Sequence, residues 1–439
     1  MIEQQTENPG LILVGTTDRH TSRRLAQEHL AELERLVATL GYRVFDRVIF
    51  RCDQVRVSTF IGSGQVETLT RMVEETGAQG VTFDDELSPS QQRNLESRTG
   101  AAIADRHEII LDIFCDHATT HEARLQVEKA RLKYALPRLK RAWTHLSRQR
   151  GGVRGSRGGG ETQLEVDRRR IQERIARIDR QLRSVGTHRQ TIRNRRESVP
   201  VPTVALVGYT NAGKSSLLNA LTGAQANVRD SLFETLDPKT TRLTLDNGME
   251  LLVTDTVGFI RKLPHDLVDA FHSTLEETVR ADLLLHVVDA ASSQLDEELE
   301  TTRSVLDEIG ASARPAITVC NKIDLLEHSP HMPAAGIENA VWLSCRSGEG
   351  IDALRERLAD YFSDRFHSQR YELPANRWDL VALLHREARV HDQEVNGTGV
   401  IVHAAVPEKL RRALTRFAVP GRSSSWDPPQ LSGADGSSA

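Results

Sequence analysis

Eight consecutive residues, Gly208, Tyr209, Thr210, Asn211, Ala212, Gly213, Lys214 and Ser215, run glycine, four variable positions, glycine, lysine, serine. This spacing suits phosphate. The glycines let backbone N–H groups wrap the oxyanions, the lysine ammonium neutralises the outer phosphates, and the serine hydroxyl ligates Mg2+. The apolar run TVALVG precedes the loop and KSSLLNALTG follows it, which predicts the strand, loop and helix that the chemistry needs. A helix N-terminus adds partial positive charge at the same place.

Three further motifs narrow the ligand. Asp255, Thr256, Val257 and Gly258 close the strand-like MELLVT. An aspartate there reaches the Mg2+ shell directly or through water, and Gly258 offers its N–H to a γ-phosphate. Asn321, Lys322, Ile323 and Asp324 follow AITVC. This tetrad suits guanine: a carboxylate accepts from N1–H and the 2-amino group, which adenine does not present. The asparagine supports the loop and reaches the base edge, and the lysine stem lies along the ring. Ser344, Cys345 and Arg346 follow VWL and are placed to cap guanine O6 through backbone N–H groups. All four motifs fall at strand C-termini, where α/β sheets bind ligands. Each alone also reads as an ordinary turn or loop; their order and placement together favour a GTP pocket.

Between the first two motifs, Phe233, Glu234, Thr235, Leu236 and Asp237 occupy the place of a loop whose threonine completes the Mg2+ shell. Thr235 is the preferred ligand beside Ser215, with Thr240 and Thr241 competing. Directly after Gly258, where many GTPases orient the attacking water with glutamine, stands Phe259. An aromatic ring cannot polarise water. The catalytic group is therefore unassigned, and hydrolysis is expected to be slow or to depend on a partner or on backbone.

The elements that must hold these motifs follow from periodicity. TVALVG, MELLVTD, LLLHVVD, AITVC and VWLS read as strands alternating with helices. Before them, LILVGTT (11–17), YRVFDRVIFRC (42–52), GVTFDDELSP (80–89) and EIILDIF (108–114) read as strands of a separate α/β layer. Gly62-Ser63-Gly64 opens a helix there; a tight turn outweighs a second nucleotide loop. From His121 the apolar spacing becomes 7, 4, 3, 4, 3 through Leu125, Leu132, Leu136, Leu139, Trp143 and Leu146, and repeats through Leu164, Ile171, Ile175, Ile178, Leu182 and Val185. Two such runs joined by the irregular GGVRGSRGGGE (151–161) predict an antiparallel helical hairpin, with Pro137 kinking its first helix.

Between Arg138 and Arg196 stand eighteen Lys/Arg against five Asp/Glu, in a 439-residue chain whose net charge is −4. The arm alone is thus matched to an anionic polymer, and Arg154 and Arg157 at its tip are candidate RNA contacts; the plain alternative is a solvated coiled-coil surface. Four scattered cysteines without a CxxC pair argue against a disulfide scaffold or zinc ribbon, and no apolar run approaches a membrane span. A cytoplasmic monomer is expected.

The expected fold class is α/β. It comprises an N-terminal α/β domain (1–116), a long antiparallel helical hairpin arm (117–198), a P-loop GTPase domain with a parallel-rich sheet flanked by helices (199–365), a small C-terminal α/β unit (366–419) and a disordered tail (420–439). The segments FIGSGQVE (60–67), FDDELSPSQQRNLE (83–96), RHEIILDIFCDHATTHEARLQVEKARLKYALPRL (106–139) and GGETQLEVDRRRI (159–171), with the nucleotide motifs, resemble the HflX GTPases. The resemblance implies a GTPase of the large ribosomal subunit. It implies an arm loop directed at the peptidyl transferase centre, a GTP form that splits stalled ribosomes under stress, and Thr235 as the Mg2+ threonine. Departures are Lys239, inserted after Asp237, a tip one residue longer with Gly159 in place of proline, and Cys345 in place of alanine. Two other readings compete: a regulator of a protein partner with the arm as a dimerisation element, and a nucleotide-gated binding module with negligible turnover.

Overall fold

The computed structural model describes residues 10–419, except 20, 140–158, 197–200, 224–232, 234, 237, 247, 264–271, 327–336, 338–339, 364–365 and 398. Arg154, Arg157, Glu234 and Asp237 therefore lie outside the described residues.

Four parallel strands, β1 (Gly10–Thr17), β2 (Arg43–Arg51), β3 (Gly80–Phe83) and β4 (Ala102–Asp105), form the first sheet in the order β2-β1-β3-β4. Helices α1 (Arg23–Thr39), α2 (Ser63–Thr76) and α3 (Pro89–Thr99) connect them. Ser22 caps α1 by accepting from the Leu25 N–H, and Ser88 caps α3 with proline at its first turn. The Gly62 N–H donates to Gln65 Oε1 at 2.8 Å, so Gly62-Ser63-Gly64 starts a helix.

EIILDIF is not a strand. It lies in helix α4 (Arg106–His117), capped by Asp105, which accepts from the Glu108 N–H. The misreading has a physical cause. Ile109, Ile110, Leu111, Ile113 and Phe114 are all buried and make EIILDIF an almost continuous apolar run, which outweighs the polar stripe of Glu108, Asp112 and Asp116 and resembles a buried strand. The fourth strand is the short segment just before it.

The arm opens with α5 (His121–Ala135), which gives way to a 3-10 turn, Leu136–Arg138, at Pro137. Helix α6 (Gly159–Arg196) has 38 residues. At the standard rise this makes a rod of about 57 Å. Gly159, Gly160 and Glu161 thus belong to the helix and not to the irregular tip. The two helices pack with Ile178 fully buried; Arg174 grips Glu128 at 2.7 and 2.8 Å, and Lys129 meets Asp179 at 2.6 Å.

The second sheet, ordered β10-β9-β8-β5-β7-β6, contains β5 (Thr203–Val207), β6 (Lys239–Thr244), β7 (Glu250–Asp255), β8 (Leu283–Asp289), β9 (Ala316–Asn321) and β10 (Val341–Trp342). All pair in parallel except the edge strand β6. Helices α7 (Lys214–Thr222), α8 (His272–Arg280), α9 (Leu295–Glu308) and α10 (Ile351–Ser363) accompany it. One core unites Leu206, Leu217, Val253, Leu285, Leu354 and Phe362. A second core is shared with the N-terminal sheet: Leu33, Leu36, Ile110 and Phe114 join Val207, Phe233, Phe259 and Ile260.

The C-terminal unit begins with a strand. β11 (Phe366–Pro374), β12 (Arg389–Asn396) and β13 (Gly399–Pro407) form an antiparallel sheet, with α11 (Trp378–Glu387) and α12 (Glu408–Leu414) packed on it.

Candidate nucleotide pocket

The loop Gly208–Gly213 joins β5 to α7, and its backbone is tightly constrained. At Gly208, φ is +147°, and a Cβ would lie 2.1 Å from the Val287 carbonyl oxygen. At Gly213, φ is +98°, and a Cβ would lie 2.1 Å from Asn321 Nδ2. Only glycine fits either place. Lys214 is buried and donates from Nζ to the carbonyls of Gly208 (3.1 Å) and Tyr209 (2.8 Å). Burial lowers its pKa to about 8, against the opposing pull of Asp255. A Cβ on Gly258 would stand 3.0 Å from that Nζ, so the Gly258 backbone faces the ammonium.

Three oxygens converge beside it. Ser215 Oγ donates to Asp255 Oδ2 at 2.6 Å, Thr235 Oγ1 donates to the same oxygen at 2.7 Å, and the two hydroxyls are 3.0 Å apart. Asp255 Oδ1 is buried with no hydrogen-bond partner among the described residues. Serine and threonine hydroxyls around a carboxylate with a spare oxygen are hard donors of the kind Mg2+ takes. The competing threonines stand elsewhere: both lie in β6, and Thr240 Oγ1 pairs with Thr254 Oγ1 at 2.9 Å. Thr256 is turned away, donating to the Leu206 carbonyl at 2.6 Å, and Val257 is buried in the core.

At the other end, Asn321 ties two loops together. Its Nδ2 donates to the Ala212 carbonyl at 2.9 Å, and its Oδ1 accepts from the Cys345 N–H at 3.1 Å. Its loop-bracing role is therefore explicit. The Cys345 N–H is thereby engaged within the protein. The Arg346 N–H likewise donates to Ser344 Oγ at 3.2 Å, and Ser344 Oγ donates to Asp324 Oδ1 at 2.6 Å. Lys322 holds a left-handed backbone, φ +65°, and pairs with Asp289 at 2.7 Å. Ile323 is buried below it.

Phe259 is 1% exposed, and its ring belongs to the core shared with the N-terminal sheet. Its backbone clasps the phosphate loop: its N–H donates to the Gly208 carbonyl at 3.0 Å and its carbonyl accepts from the Thr210 N–H at 2.7 Å. The ring is an anchor and does not orient water.

Around this anchor lies a buried polar junction that single motifs did not reveal. Tyr209 Oη donates to Glu32 at 2.6 Å and accepts from the Arg261 N–H at 2.8 Å. Arg106 reaches Glu32 at 2.7 Å and Asp84 at 3.0 Å, and Arg261 holds both oxygens of Asp84 at 2.9 Å. Lys262 pairs with Asp85 at 2.6 Å. Burial by itself would raise the Asp84 pKa, but the guanidinium groups of Arg261 and Arg106, with Lys262, hold it well below the usual carboxylate range. Two sequence signals pointed here: the adjacent acids Asp84-Asp85 and the adjacent cations Arg261-Lys262 just after Phe259.

Three family models match successive stretches of the chain. Residues 27–115 match "GTP-binding GTPase N-terminal", residues 117–196 "GTP-binding GTPase Middle Region" and residues 203–322 "50S ribosome-binding GTPase". The GTPase HflX of Caldanaerobacter subterraneus is 43% identical over 393 residues, covering 90% of this chain and 91% of that protein. The GTPase HflX of Escherichia coli is 45% identical over 350 residues, covering 79% and 82% respectively. Among solved structures, a GTP-binding protein from Sulfolobus solfataricus in complex with GDP is similar at 24% identity and a TM-score of 0.42, covering 81% of this chain and 99% of that one. A chain with this phosphate loop, this guanine-type tetrad and relatives of such identity along most of its length belongs to the HflX family of GTPases.

Proposed function

We propose that this GTPase is a Mg2+-dependent factor of the large ribosomal subunit, acting in the cytoplasm to split or rescue stalled ribosomes, with the basic arm docking on rRNA. The observation that carries the metal requirement is the oxygen cluster of Ser215, Thr235 and Asp255, with Asp255 Oδ1 unpaired among the described residues. Ser215, Thr235 and Asp255 would hold Mg2+, and the ion would supply positive charge to offset the charge that builds on the phosphates. The chain's own groups do the rest. Lys214 and the Gly258 N–H hold the outer phosphates, the Gly208–Gly213 amides wrap the inner ones, and Asp324 with the Ser344–Arg346 loop reads guanine. Phe233, Glu234, Leu236 and Asp237, which flank Thr235 in sequence, are assigned with it to the nucleotide-binding loop. The two other readings, a regulator of a protein partner and a binding module without turnover, make no use of RNA.

The ribosomal reading is supported by the description of the matching family model and by the row of exposed arginines along α6, including Arg168, Arg169, Arg170, Arg177, Arg180 and Arg183. Sedimentation with ribosomes and separated subunits tests it. The GTP-analogue form should pellet with the large subunit more than the GDP form does. Arg154→Ala with Arg157→Ala should loosen that association and flatten its salt dependence without altering affinity for free GTP. Equal pelleting in both nucleotide states, or no phosphate release stimulated by ribosomes, would overturn the proposal.

A further inference from the structure

The threonine at the phosphate end hangs on a peptide that the second sheet does not hold alone. Phe233, two residues before Thr235, sits in the left-handed region at φ +59°. A bulky aromatic keeps that conformation only where its neighbours impose it. The neighbours are on α4. The Phe233 ring is 3% exposed and lies against Phe114, centroids 4.6 Å apart, and its carbonyl accepts at 2.7 Å from His117 Nδ1, which therefore carries the proton. Leu236, on the far side of Thr235, is buried in the same core.

Phe114 and His117 occupy the last turn of α4, and the arm starts at once beyond them. Thr120 caps α5 by accepting from the Ala123 N–H at 3.1 Å, and Arg124 Nε donates back to the Ala118 carbonyl at 3.1 Å. The peptide presenting Thr235 is thus fastened to the root of the arm.

We propose that His117 and Phe114 are positioning residues for Thr235: by clamping Phe233, they let the arm root set where the metal-binding hydroxyl stands, and so how strongly the pocket prefers triphosphate to diphosphate. The proposal rests on Thr235 as a Mg2+ ligand. The diphosphate form needs this threonine least, because it is the γ-phosphate and its Mg2+ that hold such a loop. The clamp therefore acts on one nucleotide and spares the other.

The test uses the full chain, fluorescent GDP and a fluorescent non-hydrolysable GTP analogue, each titrated across Mg2+. His117→Ala should raise the Mg2+ concentration for half-maximal binding of the analogue roughly fivefold, the loss of about one hydrogen bond, with GDP affinity within about twofold. His117→Asn, which returns an N–H donor, should restore most of the difference. Phe114→Leu should shift the requirement in the same direction, and serves if His117→Ala does not fold. His117→Ala combined with Thr235→Ala should be no worse than Thr235→Ala alone, because the clamp acts through that residue. An unchanged Mg2+ requirement in the His117 and Phe114 variants, an equal loss for both nucleotides, or additive losses in the double variant overturns the clamp alone. No effect of Thr235→Ala overturns the metal role of Thr235, and the clamp with it.

Discussion

The base-reading end of the pocket and its phosphate end are built differently. At the base end, the bracing comes from within the second sheet and its loops: Asn321 links Ala212 to Cys345, Ser344 holds Asp324, and Lys322 pairs with Asp289. At the phosphate end, bracing from the second unit is joined by bracing from elsewhere. Tyr209 and Arg261 are held by Glu32 and Asp84, and Phe233 is held by Phe114 and His117. Under the proposed function, nucleotide identity would be read by one unit, whereas nucleotide state would be read by a surface braced from the N-terminal unit and the root of the arm.

The comparison can be broken most forcefully at Arg106. Arg106→Met leaves two buried carboxylates short of a partner and should cost about 3–5 kcal/mol of stability, read as a fall in the urea midpoint. Guanine selectivity should survive in the folded fraction; selectivity lost in step with stability would erase the distinction between the two ends. Next in size, Lys214→Ala removes charge-assisted contacts to two phosphates and should weaken GTP analogue binding roughly a hundredfold or more. Normal binding of the fluorescent analogue would end the assignment of the phosphate loop. Asp324→Asn acts only at the base end. It should weaken guanine nucleotides roughly tenfold or more and move preference toward xanthine, measured by competition between the two triphosphates. The smallest effect sharpens the contrast. At Cys345 the backbone N–H makes the contact, so Cys345→Ala should leave GDP affinity within about twofold; a larger change would show that the thiol itself matters.

Much of the base end, and the phosphate loop itself, was legible in the sequence because the chemistry there is local. Asn321 to Asp324 and Gly208 to Ser215 are short, ordered strings at strand ends, and a string carries its own spacing. The phosphate end was legible only in part. Thr235 was the preferred threonine, yet nothing near it in sequence names its anchors: His117 lies 116 positions from Phe233, and Tyr209 lies 177 positions from Glu32. Contacts of that span leave no period and no motif. Helix α4 was misread for a related reason. Packed between two units, it buries so many apolar residues that its narrow polar stripe, Glu108, Asp112 and Asp116, is outweighed. The edge strand β6 was hidden inside a stretch whose threonines invited a metal-site reading.

The core common to both sheets also has a consequence for synthesis. Phe114 and Ile110 leave the ribosome well before Tyr209, Phe233 and Phe259, which later cover them. At ordinary elongation rates the wait is roughly 5–20 s for the residues separating Phe114 from Tyr209. During that interval the nascent chain presents an unfinished apolar face, which the second sheet covers only once its own strands have been made.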